Sequence, residues 1–72
     1  MNELYYIKIG NRYLSWVDEN WYETNKKEPT YFNYDELIKS IKLLEKHYVL
    51  NPTVIRHYDD HDYLCFVDLK KS

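Results

Sequence analysis

Between Asn33 and Asn51-Pro52 lies the one segment of this chain patterned for a helix, and it dictates how the rest must be arranged. Tyr34, Leu37, Ile38, Ile41, Leu44 and Tyr48 recur at the three- and four-residue spacings of a single helical face, while Lys39, Lys42, Glu45 and Lys46 fall mostly off it. Asn33 followed by Glu36 is close to a capping box, so the helix starts there. It must stop by Asn51-Pro52, because a proline disfavours the α region for the residue before it and has no N–H of its own. Burying Leu37, Ile38, Ile41 and Leu44 contributes roughly 6–12 kcal/mol gross before chain entropy is subtracted. One apolar stripe needs one apolar surface to cover it, and the remaining sequence supplies that surface as strands.

Residues 4–9 and 12–17 are β-branched and aromatic runs separated by Gly10-Asn11, a two-residue hairpin signal. That loop sets Ile9 against Arg12, Ile7 against Leu14 and Tyr5 against Trp16 on a core face, leaving Tyr6, Lys8, Tyr13 and Ser15 on a tyrosine-rich outer face. Asp18-Glu19-Asn20 is turn-like, and Trp21–Thr24 adds a short edge strand before the polar loop 25–29. After the helix, residues 53–58 and 63–69 form a second hairpin around a wider loop, Asp59-Asp60-His61-Asp62. The expected fold is α+β: a two-layer sandwich with one helix packed on an antiparallel sheet of four to five strands, in the order β-β-(β)-α-β-β.

With 72 residues, the chain has room for a single domain and one thin core, not for a cleft between domains. Ten Lys and Arg against twelve Asp and Glu argue against affinity that comes mainly from phosphate neutralisation. No apolar run reaches the length of a membrane span, and residue 1 onward lacks the basic-then-apolar layout of a secretory signal, so a cytoplasmic protein is expected. The single cysteine, Cys65, excludes an intrachain disulfide and reads as a small buried hydrophobe.

Chemistry-bearing patterns are sparse. The run His57-Tyr58-Asp59-Asp60-His61-Asp62 offers nitrogen and oxygen ligands, and a metal-dependent enzyme built on His57, Asp59 and His61 is the third reading of the sequence. Its spacing matches no metal motif with a known mechanism, and Asp and His are ordinary turn residues. One glycine excludes a glycine-rich phosphate cradle, and no serine sits in a nucleophile elbow. Neither a catalytic activity nor a cofactor is expected. Tyrosine is the anomaly. Tyr5, Tyr34 and Tyr48 fall on the expected core faces, but Tyr6, Tyr13, Tyr22, Tyr31, Tyr58 and Tyr63 exceed what one helix-covered sheet can bury, and exposed aromatics favour protein interfaces.

Charge is segregated as well. Residues 26–56 carry six basic and four acidic side chains, whereas the flanking segments are both net acidic. Were the hairpin ends Asp18-Glu19 and Asp59-Asp60-Asp62 to share one end of the sheet, they would make a negative surface rimmed by Trp21, Tyr22, Tyr58 and Tyr63. Such a surface suits the basic nucleic-acid channel of a protein partner. The alternative is a nucleic-acid-binding accessory protein working through Lys26, Lys27, Lys39, Lys42 and Lys46.

The stretch Tyr6-Ile7-Lys8-Ile9-Gly10-Asn11-Arg12-Tyr13-Leu14, followed by Thr30-Tyr31-Phe32-Asn33-Tyr34-Asp35-Glu36-Leu37 entering a helix, resembles small proteins encoded by phages and mobile elements of low-GC Gram-positive bacteria. Anti-CRISPR and other anti-defence inhibitors are small proteins of this kind. The resemblance spans residues 4–50 and carries over no functional residue. It implies a stoichiometric inhibitor or adaptor, expected to act on a protein of the bacterial host such as a defence nuclease. Independently of the resemblance, the surplus aromatics leave open a homodimer in place of a foreign interface, since small chains often gain stability by self-association.

Overall fold

A computed structural model describes residues 3–18, 20–49 and 52–65. The elements are β1 (Leu4–Ile9), β2 (Arg12–Asp18), β3 (Trp21–Asn25), α1 (Tyr34–Lys46), β4 (Thr53–Tyr58) and β5 (His61–Cys65). The strands form one antiparallel sheet in the order β3-β2-β1-β4-β5, and α1 covers one of its faces. The α+β sandwich legible in the sequence is the observed fold. The residues 66–69 expected at the end of the last strand lie outside the described residues.

β1 is the central strand, joined to its own hairpin partner β2 and, from the far side of the sequence, to β4. Gly10 takes the left-handed φ of 64° that the two-residue turn into β2 demands, with Lys8 paired to Tyr13 and Ile9 to Arg12. Further back along β1 the pairing changes. Tyr5 exchanges both backbone hydrogen bonds with Phe32, at 2.8 and 2.7 Å, while β4 occupies its other edge through the Tyr5–Arg56 pair. The expected Tyr5–Trp16 pairing is therefore replaced: the segment leading into α1 inserts Phe32 beside β1, and Trp16 packs against the Phe32 ring with centroids 5.6 Å apart. A one-residue irregularity between Trp16 and Asp18 leaves Val17 exposed.

The core joins Tyr5, Ile7, Leu14, Phe32 and Val54 to Leu37, Ile41 and Leu44 of α1. The helix begins as its sequence dictates. Glu36 N–H donates to Asn33 Oδ1 at 2.8 Å, and Asn33 N–H donates to Glu36 Oε1 at 2.9 Å, a complete capping box. Its other end differs from expectation. Tyr48 does not extend the apolar stripe: it lies past the C-cap, at φ 58° and 89% exposed. Its N–H donates to Glu45 O at 3.0 Å and that of Val49 to Leu44 O at 2.9 Å, the hydrogen-bond pair of a Schellman stop. Val49, the next residue, packs half-buried against the core. Tyr34 is likewise exposed, touching Tyr5 only edge-on, and Leu43 is buried instead.

The second hairpin is tighter than expected. Tyr58 pairs with His61, so the loop is only Asp59-Asp60, and His61 and Asp62 belong to β5. Both loop residues adopt left-handed φ, 53° and 61°, as a two-residue turn between right-twisted strands requires; aspartate tolerates that region better than most side chains. Cys65, expected buried, is half-buried against the core margin.

Candidate functional site

Strand direction fixes where the sequence-derived binding residues fall. β1 begins at Leu4, whereas β2 ends at Asp18 and β4 at Tyr58, so the β2–β3 and β4–β5 turns both lie at the end of the sheet where β1 starts. Glu3 sits between them, its carboxylate accepting from Tyr5 Oη at 2.9 Å and from Arg56 at 3.5 Å. The two turns are separated by β1 and the Phe32 segment, about 15–20 Å at ordinary strand spacing. They make two acidic knuckles rather than one continuous patch.

At the first knuckle, the Asp18 carboxylate accepts from Asn20 N–H at 2.7 Å, and Trp21 stands 57% exposed. The Trp21 ring stacks on Tyr22 and meets His47 edge-on at 5.1 Å. Tyr22 is half-buried against the core, and Glu19 lies outside the described residues. At the second knuckle, Asp59, Asp60 and Tyr58 are exposed. Asp62 and Tyr63 turn to opposite faces of the sheet. Tyr63 pairs with Arg56 on the helix side, where the guanidinium lies 5.0 Å from its ring centroid.

Asp62 belongs to a polar cluster on the outer face. Its Oδ2 accepts from Tyr6 Oη at 3.0 Å, and its Oδ1 from His57 Nδ1 at 2.6 Å. Tyr31 closes over this cluster with its ring 5.8 Å from Tyr6 and 5.3 Å from His57, and Tyr13 flanks Tyr6 at 5.7 Å. Tyr6, expected on a solvated face, is consequently only 9% exposed. Burial, then the bond to Asp62, pushes its phenol up to about 12. The hydrogen bond from His57 holds the Asp62 carboxyl below its ordinary value. Among the described residues, no three His, Cys, Asp or Glu side chains converge as metal ligands: His57 is committed to Asp62, and the His61 ring lies edge-on to Tyr63.

The lysines of the helix acquire a setting that the sequence did not disclose. A groove of about 420 Å³ opens between α1 and the β2–β3 hairpin, lined by Trp16, Asn20, Lys39, Lys42, Leu43 and Lys46. Its floor is held rigidly, because Trp16 Nε1 donates to Ser40 Oγ at 2.7 Å and Ser40, fully buried, donates in turn to Glu36 O at 2.8 Å. Among the described residues the ion pairs are Arg56 with Glu3 and His57 with Asp62, neither of which engages these lysines. Lys26 and Lys27 follow β3 and do not line the groove. The spacing of Lys39, Lys42 and Lys46 already put them on one helical flank, but Trp16 and Ser40 gave no sequence signal of pairing across it.

No protein-family model, curated protein or solved structure matches the chain. Among the described residues, no helix is long and apolar enough to cross a membrane.

Proposed function

We propose that this is a small protein-binding module that works by occupancy rather than by catalysis. Its suggested role is that of a phage- or mobile-element-encoded stoichiometric inhibitor of a bacterial defence nuclease. The observation that carries the reading is the shared end of the sheet: Asp18 and exposed Trp21 at one turn, and Asp59, Asp60 and exposed Tyr58 at the other, stand on either side of Glu3. Carboxylates interspersed with large aromatics suit a basic channel, the aromatics supplying buried area at low entropy cost and the carboxylates supplying steering. The test is capture of a host protein by the tagged chain, compared with a variant carrying Asp59→Lys and Asp60→Lys. Loss of the captured protein supports the assigned surface, and unchanged capture removes it.

A nucleic-acid-binding role is the second reading, favoured by the gathering of Lys39, Lys42 and Lys46 around one groove. Salt titration of DNA binding separates the two. Tight binding at physiological ionic strength favours the nucleic-acid reading and counts against an inhibitor that acts on protein alone.

A further inference from the structure

We infer that the groove between α1 and the β2–β3 hairpin binds a short acidic segment of a protein partner, its carboxylates on Lys39, Lys42 and Lys46 and one apolar side chain on Trp16 and Leu43. The inference rests on the protein-binding reading and gives it a second point of contact, of opposite charge to the first.

Lys39 and Lys46 are seven residues apart on one helix, a span of roughly 10 Å, which an extended peptide covers in about three residues. The ammonium groups of Lys39, Lys42 and Lys46 thus match a run of three or four residues rich in Asp or Glu. The floor asks for something else. Leu43 and the Trp16 ring are apolar, and Trp16 is clamped by Ser40, so the site presents a preformed apolar patch inside a cationic rim. Acidic side chains with a single aliphatic or aromatic one between them satisfy both.

Nucleic acid fits less well. A polyanion leaving the groove past Asn20 would meet Asp18, whose carboxylate is bonded to the Asn20 backbone, whereas a short segment ends before it.

The experiment is a titration of the ¹⁵N-labelled full chain with the peptide acetyl-Glu-Asp-Leu-Glu-Asp-amide, with its Gln-Asn-Leu-Gln-Asn counterpart, and with a thymidine oligonucleotide of the same charge, all at physiological salt. The expected result is saturable shifts at the Trp16 indole N–H, Asn20 and residues 39–46 with the acidic peptide only. Roughly tenfold weaker binding is expected on Lys42→Glu with Lys46→Glu. The milder Lys42→Gln with Lys46→Gln, checked for an unchanged spectrum elsewhere, keeps the comparison sound if the reversal perturbs folding. Absence of saturable shifts, equal shifts with the amide peptide, or tighter binding of the oligonucleotide overturns the inference. Failure here is separable from failure of the module itself. Capture that survives the lysine variants but not the Asp59 and Asp60 variants leaves the protein-binding reading standing without the groove.

Discussion

Tyr6 shows how one hydroxyl changes the meaning of a strand position. By alternation it belongs to the outer face, and its bond to Asp62 and the flanking rings of Tyr13 and Tyr31 bury it there. The folded chain holds the phenolic proton more tightly than the unfolded chain does. Stability is therefore complete below the ordinary tyrosine value near 10 and falls as pH rises toward 12. Denaturant unfolding across that window should show the loss in the native protein and a flatter profile in Tyr6→Phe. Asp62 acts in the opposite sense. Its folded carboxylate is favoured by His57 and Tyr6, so its contribution is present above the unfolded value of about 3.8 and vanishes as pH drops through the lower folded value. In Asp62→Asn the acid limb should flatten, as read by the same unfolding series. Ser40 is a third case. Replacing it by alanine strands the Trp16 indole N–H and should cost about 1–3 kcal/mol in unfolding free energy, with altered Trp16 emission as the local readout.

At the scale of elements, what was legible depended on whether the signal was local. Asn33 and Glu36 sit three residues apart, and Gly10 sits between two alternating runs, so the start of α1 and the first hairpin could be read directly. The helix ends before the Asn51-Pro52 limit, but its exact stop could not be read, because a Schellman motif is usually announced by glycine and here the left-handed position is filled by Tyr48. The side chain is almost wholly exposed and loses little on removal. Tyr48→Gly should therefore stabilise the protein by roughly 1 kcal/mol, measurable as a higher denaturation midpoint. The Asp59-Asp60 turn is tighter than its sequence suggests for the same reason, since two aspartates resemble a loose polar loop more than a tight left-handed one. That the two acidic knuckles share an end of the sheet, and how far apart they stand, could not be read locally: both depend on β1 pairing with β4 across a long stretch of chain, and the spacing is widened by Phe32, whose bridge to Tyr5 leaves no periodic trace. The groove was illegible in the same way, because its basic rim is helical and its floor is contributed by β2.

For the molecule as a whole, the consequence of thinness is that few residues separate order from disorder. A chain of 72 residues carries roughly 4–11 kcal/mol of net stability. Phe32 contributes both a core ring and the backbone bridge to β1, and truncating a buried phenylalanine costs about 3–5 kcal/mol. Phe32→Ala should leave a largely unfolded or loosely packed population at 37 °C, visible as lost dispersion in the NMR spectrum. The strand order has another implication. β1, β2 and β3 come from the first part of the chain and α1, β4 and β5 from the second. The β1–β4 ladder and the Tyr5–Phe32 bridge are the seams between them. Cutting the exposed loop at Lys27-Glu28 divides the protein along those seams into two pieces that each lack a closed core. Each piece is thus a conditional half, and fused to the two parts of a split reporter, such halves would signal only when they meet.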